Sequence, residues 1–297
     1  MSFDISKFRG TTVALITPFT SQGEVDDEKL RSLVDWHVEQ GTDVILACGT
    51  TGESATLSHE EHQRVIDIVI EQAAGRVPVM AGAGSNAADE AISLTEHASR
   101  AGADAILSVG PYYNKPTQQG YYEHFKAIAA ATELPVILYN VPGRTGGNIC
   151  DDTTLKLAEI DNIIGVKEAS GNLSQIMHIL QDRPRDFLVL SGDDAITMSL
   201  LVLGLDGVIS VVANEAPALL HEMVHSAFAG EWEKARDIHF KLLPLMEFNF
   251  CESNPIPVKT ACAMMGLVGE TVRLPLVPMT EANRKTMRAL LQELHLI

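Results

Sequence analysis

Eight short apolar segments, separated by helical patterns, constrain the fold of this chain more than any other feature of its sequence. Most of them are continuously apolar, which is typical of a parallel strand that is buried on both faces. From the second segment onward, successive segments begin about 20 to 35 residues apart, about the length of one βα unit. The predicted strands are 12–17, 44–48, 79–82, 105–109, 136–139, 163–167, 188–190 and 208–212.

A weak internal repeat supports the same division of the chain. The sequence Gly-Thr-Asp-Val-Ile-Leu at 41–46 recurs as Gly-Ala-Asp-Ala-Ile-Leu at 102–107 and more loosely at 204–209. The glycine that opens each copy suits the left-handed conformation that ends a helix before the next strand. Ser58 and Glu61 fit a capping box, so a helix is predicted to begin directly after Ser58.

The repeated βα units predict an α/β protein. Eight such units without a break in composition favour a closed (β/α)8 TIM barrel over an open doubly wound sheet. We expect the catalytic barrel to occupy residues 1–228. Residues 229–297 carry a predicted C-terminal helical appendix, with helical patterns at 231–248, 258–265 and 281–294.

The charge of the chain limits its class of partner. There are 39 acidic and 22 basic residues, a formal net charge of −17, which argues against nucleic acid and against an anionic membrane surface. No apolar stretch approaches the roughly 20 residues that cross a bilayer, and the first residues lack the pattern of a signal peptide. A cytoplasmic protein is therefore expected.

A lysine at a strand end is the strongest candidate for chemistry. Active sites of such barrels lie at the carboxyl ends of the strands. Of the ten lysines, Lys167 alone directly follows an apolar strand core. Desolvation there would lower the pKa of its amine and make it a nucleophile toward a carbonyl. The alternative is a structural ion pair with Glu168 or with an aspartate after the seventh strand.

Hydroxyl groups and an arginine are predicted at neighbouring strand ends. Tyr139, Tyr113, Thr50 and Thr51 could transfer the protons that imine chemistry requires. The N–H groups of the Gly-Thr-Thr-Gly turn could bind a carboxylate, although an ordinary capped turn has the same sequence. Arg144 could bind a second carboxylate with its two-pronged guanidinium, or it could be a solvated loop residue.

Six motifs between residues 49 and 259 carry a family resemblance that runs over essentially the whole chain. They are Gly-Thr-Thr-Gly-Glu at 49–53, Pro-Tyr-Tyr-Asn-Lys-Pro at 111–116, Tyr-Asn-Val-Pro-Gly-Arg-Thr-Gly at 139–146, Gly-Val-Lys-Glu-Ala at 165–169, Ser-Gly-Asp-Asp at 191–194 and Asn-Pro-Ile-Pro-Val-Lys at 254–259. Together they resemble the dihydrodipicolinate synthase family, within the pyruvate-dependent class I aldolase and N-acetylneuraminate lyase superfamily.

The resemblance implies a reaction and roles for single residues. Lys167 would form a Schiff base with pyruvate, and the resulting enamine would attack L-aspartate 4-semialdehyde, with no metal and no organic cofactor. Tyr139, Thr51 and Tyr113 would form a proton relay, in which Tyr113 reaches into the neighbouring subunit. Arg144 would orient the carboxylate of the aldehyde. The residues implied to bind substrate are Thr50, Thr51, Gly192, Ile209 and Arg144.

The resemblance also implies regulation and assembly. L-lysine is expected as a feedback inhibitor that binds at a subunit interface, and the histidine and glutamate at His62 and Glu90 are features of lysine-sensitive members. The implied effector residues are Ser54, Ala55, His59, His62, Asn86, Glu90 and Tyr112. The family favours a homotetramer built from two tight dimers, although a dimer stays open.

Other functions remain as alternatives. A sialic acid or keto-deoxy-sugar aldolase would share Lys167 and Tyr139, but such relatives typically lack an arginine at the position of Arg144. A non-catalytic binding protein would form no covalent adduct at Lys167.

Two further motifs give only weak indications of a function. Gly-Ala-Gly-Ser-Asn-Ala at 82–87 imitates a dinucleotide fingerprint, but the acidic residue expected at the end of the next strand is missing. His59 and His62 are three residues apart, whereas the zinc-protease motif requires four. An oxidoreductase and a metalloenzyme are therefore disfavoured.

Overall fold

The computed structural model, which describes residues 3–297, closes eight parallel strands into one barrel. Each strand pairs with its neighbours in sequence, and the last strand pairs with the first. The strands are β1 Gly10–Ala14, β2 Val44–Ala47, β3 Val79–Gly82, β4 Ala105–Val109, β5 Val136–Asn140, β6 Ile163–Glu168, β7 Leu188–Ser191 and β8 Gly207–Ser210. The predicted TIM barrel is confirmed.

Helices follow the strands in alternation, and the last ones form the predicted C-terminal segment. They are α1 Asp27–Glu39, α2 His59–Ala73, α3 Ala88–Ala101, α4 Gln118–Ala130, α5 Pro142–Thr145, α6 Asp151–Leu157, α7 Leu173–Asp182, α8 Asp194–Leu201, α9 Pro217–Phe228, α10 Trp232–Phe248, α11 Ile256–Met264 and α12 Glu281–Glu293. Within residues 3–297, none is both long and apolar enough to cross a bilayer.

The first and last strands end earlier than predicted, because the backbone N–H groups that follow them donate to side chains outside the sheet. The N–H of Ile16 donates to the Asn214 side chain, so the chain leaves the sheet after β1. After β8, the N–H groups of Val211 and Val212 both donate to the Asp194 carboxylate. The apolar runs continue beyond the strands in sequence, but their backbone is bonded to loops.

Two apolar layers explain why the strands are apolar on both faces. Side chains that include Leu46, Met80, Ile137 and Leu190 fill the inside of the barrel. The alternate residues of the strands pack outward against the helices in a second, larger core. Because both faces are buried, no polar alternation remains in the sequence.

The local capping box predicted from the sequence is present in the structure, and the glycine motif is explained by packing. Ser58 accepts a hydrogen bond from the Glu61 N–H while the Glu61 carboxylate accepts one from the Ser58 N–H, so the predicted capping box is present. Gly82 and Gly84 of the glycine motif lie where strand ends approach closely. A β-carbon on either glycine would overlap the backbone that follows β2 or the backbone of Val109. Packing therefore accounts for these glycines.

The C-terminal segment packs onto the barrel. Helix α10 lies against α8 and α9, and α12 lies against α10 and α11. Lys259 of α11 forms a fully buried ion pair with Glu53, which follows β2. The division at residue 228 stays a prediction, since these helices and the barrel share one apolar core.

Candidate active site

Lys167 lies near the carboxyl end of β6 and is almost completely buried. Its ammonium is 4.3 Å from the centre of the Tyr139 ring. The pKa of this amine is lowered to about 8, mainly by burial; the negative charge of Asp194 opposes this shift, and the positive charge of Arg144 adds to it. Such an amine is partly unprotonated near neutral pH, which is the state that attacks a carbonyl.

The structure does not pair Lys167 with Glu168. Because adjacent residues of a strand point to opposite faces, Glu168 lies on the other side of the sheet. Its carboxylate accepts hydrogen bonds from Asn140, Gln175 and the Ser170 N–H. Asp194, after β7, acts on Lys167 through its charge while its carboxylate binds backbone N–H groups. The predicted alternative of an ion pair with Glu168 is therefore wrong.

Thr50, rather than Thr51, lies beside Tyr139 in the structure. Burial raises the pKa of the Tyr139 phenol, and the Thr50 hydroxyl beside it lowers that pKa. Thr51, the residue implied by the resemblance, is turned away. Its hydroxyl accepts a hydrogen bond of 3.1 Å from Asn254. Of the two threonines, Thr50 is therefore the one that lies beside the Tyr139 phenol.

Arg144 and Tyr139 line one cavity of about 350 Å³ together with Thr50. Arg144 lies on the short helix α5, which Pro142 begins, and its guanidinium is 3.4 Å from the carbonyl oxygen of Asn254. Lys167 does not line this cavity and lies beneath the Tyr139 ring. The cavity can therefore present a carboxylate to Arg144 beside the phenol that covers the lysine.

The two remaining residues predicted to line the pyruvate pocket lie close to Lys167 and Tyr139. A β-carbon on Gly192 would be 2.9 Å from Cε of Lys167, so the glycine leaves room for the lysine stem. Ile209 of β8 belongs to the same interior cluster as Tyr139. These positions agree with a small pocket around the amine.

Tyr113 is the predicted catalytic residue that the single chain leaves exposed at its surface. Its side chain is 89% exposed. Its backbone has a φ of +73°, and its N–H donates to the Thr145 carbonyl oxygen. The phenol therefore points away from Tyr139 of its own chain.

Most of the predicted effector residues line the far end of the same cavity. They are Ser54, Ala55, His59, His62, Glu90 and Tyr112. Asn86 does not line it and instead donates to the Tyr112 carbonyl oxygen. His59 lies 2.6 Å from the Glu90 carboxylate, and burial lowers the pKa of His62 to about 4. This end thus combines a carboxylate with imidazoles.

Three residues that support the site were not assigned a role from the sequence. Asn254 holds Thr51, and Lys259 holds Glu53 through a contact of 2.6 Å. The N–H of Arg273 also donates to Glu53. These contacts fix both ends of the Thr51–Glu53 part of the turn. Asn254 and Lys259 are the first and last residues of the Asn-Pro-Ile-Pro-Val-Lys motif, but only their tertiary contacts show that they support the turn.

A closed (β/α)8 barrel with a buried lysine of lowered pKa, a neighbouring phenol and an arginine at the carboxyl ends of the strands has the arrangement of a barrel enzyme. The sequence model described as "Dihydrodipicolinate synthetase family" matches residues 7–294. The chain belongs to this family and is therefore an enzyme.

Curated relatives match over nearly their whole length. The protein from Syntrophus aciditrophicus (strain SB) is 52% identical over 290 residues, 98% of this chain and 99% of its own. The protein from Nitrosospira multiformis is 53% identical over 285 residues, 96% and 95% of the two chains. Both are named 4-hydroxy-tetrahydrodipicolinate synthase.

Three solved structures are similar in fold and sequence. A chloride-inhibited dihydrodipicolinate synthase from Acinetobacter baumannii, complexed with pyruvate, has a TM-score of 0.95 and 48% identity over 97% of this chain and 99% of its own. The synthase from Cyanidioschyzon merolae with lysine bound has a TM-score of 0.96 and 42% identity over 98% and 99%. A monomeric dihydrodipicolinate synthase variant has a TM-score of 0.97 and 41% identity over 100% of both chains.

Proposed function

We propose that this enzyme condenses pyruvate with L-aspartate 4-semialdehyde to give 4-hydroxy-tetrahydrodipicolinate, a step of the diaminopimelate route to L-lysine. The observation that carries the proposal is the buried Lys167 amine beside Tyr139, with a pKa of about 8. The names of the relatives and the pyruvate in the Acinetobacter structure support the choice of substrates.

The first half of the proposed reaction makes an enamine. The Lys167 amine attacks the keto carbon of pyruvate, and loss of water gives an iminium. The iminium acidifies the methyl group, so a proton leaves and the enamine forms. Tyr139, with Thr50 as its hydroxyl partner, carries the protons between the carbinolamine and solvent. Thr51 keeps the turn in place through its contact with Asn254.

The second half joins the two substrates. The enamine attacks the aldehyde carbon of L-aspartate 4-semialdehyde and forms a carbon–carbon bond. Arg144, exposed at the cavity wall, binds the carboxylate of this substrate. The amine of the substrate then displaces Lys167 by transimination, which closes the ring and releases the free enzyme.

Borohydride trapping tests the Schiff base. The protein is incubated with pyruvate and reduced, and the modified residue is located by mass spectrometry. We expect the adduct on Lys167 alone. Lys259 is an internal control, because its pKa is also about 8 but its amine is held by Glu53 away from the cavity. An absent adduct, or one on Lys259, contradicts the mechanism.

Arg144 distinguishes the proposed substrate from that of a related aldolase. We expect Arg144→Ala to lose turnover of aspartate semialdehyde while it still forms the pyruvate adduct. Arg185→Ala, at an exposed position, serves as the control. Equal turnover in both variants, or cleavage of a sialic acid or keto-deoxy sugar by the wild type, favours the alternative aldolase.

We propose that L-lysine inhibits the enzyme from the far end of the cavity. The Glu90 carboxylate can bind an ammonium group, and the lysine-bound relative supports this choice of ligand. We expect Glu90→Gln to weaken inhibition at least tenfold, since a charge-assisted contact is lost. Glu96→Gln on the same helix is the control. Inhibition that is absent in the wild type, or unchanged in Glu90→Gln, refutes this part.

A homotetramer built from two tight dimers is proposed as the active form. Its support is Tyr113, which is exposed in the single chain and is the missing member of the relay. Mixing the inactive variants Tyr113→Phe and Lys167→Ala, after dissociation and reassembly, should restore part of the activity if Tyr113 acts across subunits. Sedimentation analysis measures the assembly. A fully active monomer contradicts the proposal, and one solved relative is a monomeric variant.

A further inference from the structure

A cluster of one carboxylate and two imidazoles lies outside the active site. Asp43 directly precedes β2, so it belongs to the amino ends of the strands, opposite the catalytic mouth. His221 and His225 lie on α9 one turn apart, which places them on the same face of that helix. The cluster therefore links the beginning of β2 to the helix that follows β8.

The ligand atoms of the cluster lie close to the separations that a metal site requires. Nε2 of His225 is 2.9 Å from Oδ2 of Asp43, and Nδ1 of His221 is 3.4 Å from the same oxygen. All three ligand atoms lie within 4.8 Å of one another. Bonds of about 2.0 to 2.2 Å in a tetrahedral zinc site place ligand atoms about 3.3 to 3.6 Å apart. Small side-chain movements would therefore suffice to surround an ion.

Neighbouring residues orient the Asp43 carboxylate and leave space for it beside the His225 ring. The N–H and the hydroxyl of Thr11 donate to Oδ2 of Asp43 at 2.7 and 2.9 Å, which fixes the orientation of the carboxylate. Gly10 lies against the carboxylate and the His225 ring, and a β-carbon there would overlap Asp43. Nδ1 of His221 is inaccessible to solvent and has no hydrogen-bond partner.

We propose that Asp43, His221 and His225 bind one divalent transition-metal ion of the Zn²⁺ type, with water at the open position. Imidazole nitrogens select Zn²⁺, Ni²⁺ or Cu²⁺ over Mg²⁺ and Ca²⁺, which prefer oxygen ligands. Among residues 3–297, these three residues form the group of His, Cys, Asp or Glu side chains whose ligand atoms are close enough to hold an ion. The ion takes no part in the reaction. It fastens α9 to the amino ends of β1 and β2, where β8 closes the barrel onto β1.

Zinc titration of the full chain tests the site. Protein freed of metal by a chelator is titrated with ZnCl₂ in a calorimeter, and cobalt(II) absorption reports the coordination geometry. We expect one Zn²⁺ per chain and a rise in the thermal midpoint. His221→Gln/His225→Gln keeps polar side chains of similar length but removes the imidazoles, and should bind at least tenfold more weakly, roughly the loss seen for metal-site contacts.

The control is His178→Gln. His178 forms a similar exposed contact of 2.9 Å with Asp151 but has no third ligand, so its loss should leave zinc binding unchanged. Anomalous diffraction from zinc-soaked wild-type crystals locates the ion even if the double variant folds poorly. Equal binding by the wild type and the double variant, no binding by the wild type, or an anomalous peak elsewhere overturns the proposal.

Discussion

The rate of imine formation should follow the ionisation of Lys167. Only the unprotonated amine attacks pyruvate, and burial favours that form because a charge is poorly solvated inside the barrel. The pKa of this amine is about 8, against 10.5 for the unperturbed group. We therefore expect the rate to rise as pH increases through 8 and to level off above it.

The lowered pKa sets the size of the effect. At pH 7 about a tenth of an amine with a pKa of about 8 is unprotonated. The unprotonated fraction of an ordinary lysine at this pH is roughly 300-fold smaller. From pH 7 to pH 8 the free amine rises about fivefold, and from pH 8 to pH 10 only about twofold. An ordinary lysine would instead gain about tenfold for each pH unit up to pH 9.

A quenched reaction measures this dependence. Protein and saturating pyruvate are mixed at each pH and reduced after fixed times, and the Lys167 adduct is counted by mass spectrometry. Arg144→Met is the diagnostic variant, because the Arg144 charge lowers the pKa of Lys167. Its removal should move the midpoint above that of the wild type. Circular dichroism at each pH checks that the fold is retained.

Two results would refute the reasoning. A rate that still rises tenfold for each unit between pH 8 and pH 9 means that the barrel does not lower the pKa of Lys167. A midpoint that Arg144→Met leaves unchanged, or lowers, means that Arg144 does not influence the amine through its charge.

Two further predictions concern stability, read from urea unfolding. Lys259→Met should cost about 3 to 5 kcal/mol because it leaves the Glu53 carboxylate buried without its partner, whereas Lys234→Met at an exposed position should cost little. A loss no larger than in the control means that the pair is not buried in solution. Gly82→Ala should cost about 1 to 3 kcal/mol or more, since its methyl group meets the backbone that follows β2. Gly143→Ala has open space around it and is the control, and an equal loss in both would exclude the close strand contact.

The general architecture could be predicted from the sequence because its signals are local. Continuous apolar runs at intervals of one βα unit require strands buried on both faces, and eight of them close a barrel. The capping box at Ser58 depends on two residues that are three apart in sequence, so it could also be predicted. Lys167 could be singled out because its position relative to a strand is itself a local property.

The details of the site depend on contacts between distant residues. Thr50 and Thr51 are chemically identical neighbours, and only the conformation of the turn decides that Thr50 faces Tyr139. The family resemblance assigned the relay to the other threonine. The exposure of Tyr113 is likewise a property of the folded chain.

The sequence by itself thus determined the barrel and singled out Lys167, at a strand end, as the candidate nucleophile, since the strand period and the residues at strand ends are properties of short segments. The folded structure alone decided which side chains meet. Lys259 and Glu53 are separated by 206 residues in sequence, and His225 and Asp43 by 182. Such pairs follow from closing the barrel and packing helices around it, and no local pattern records them.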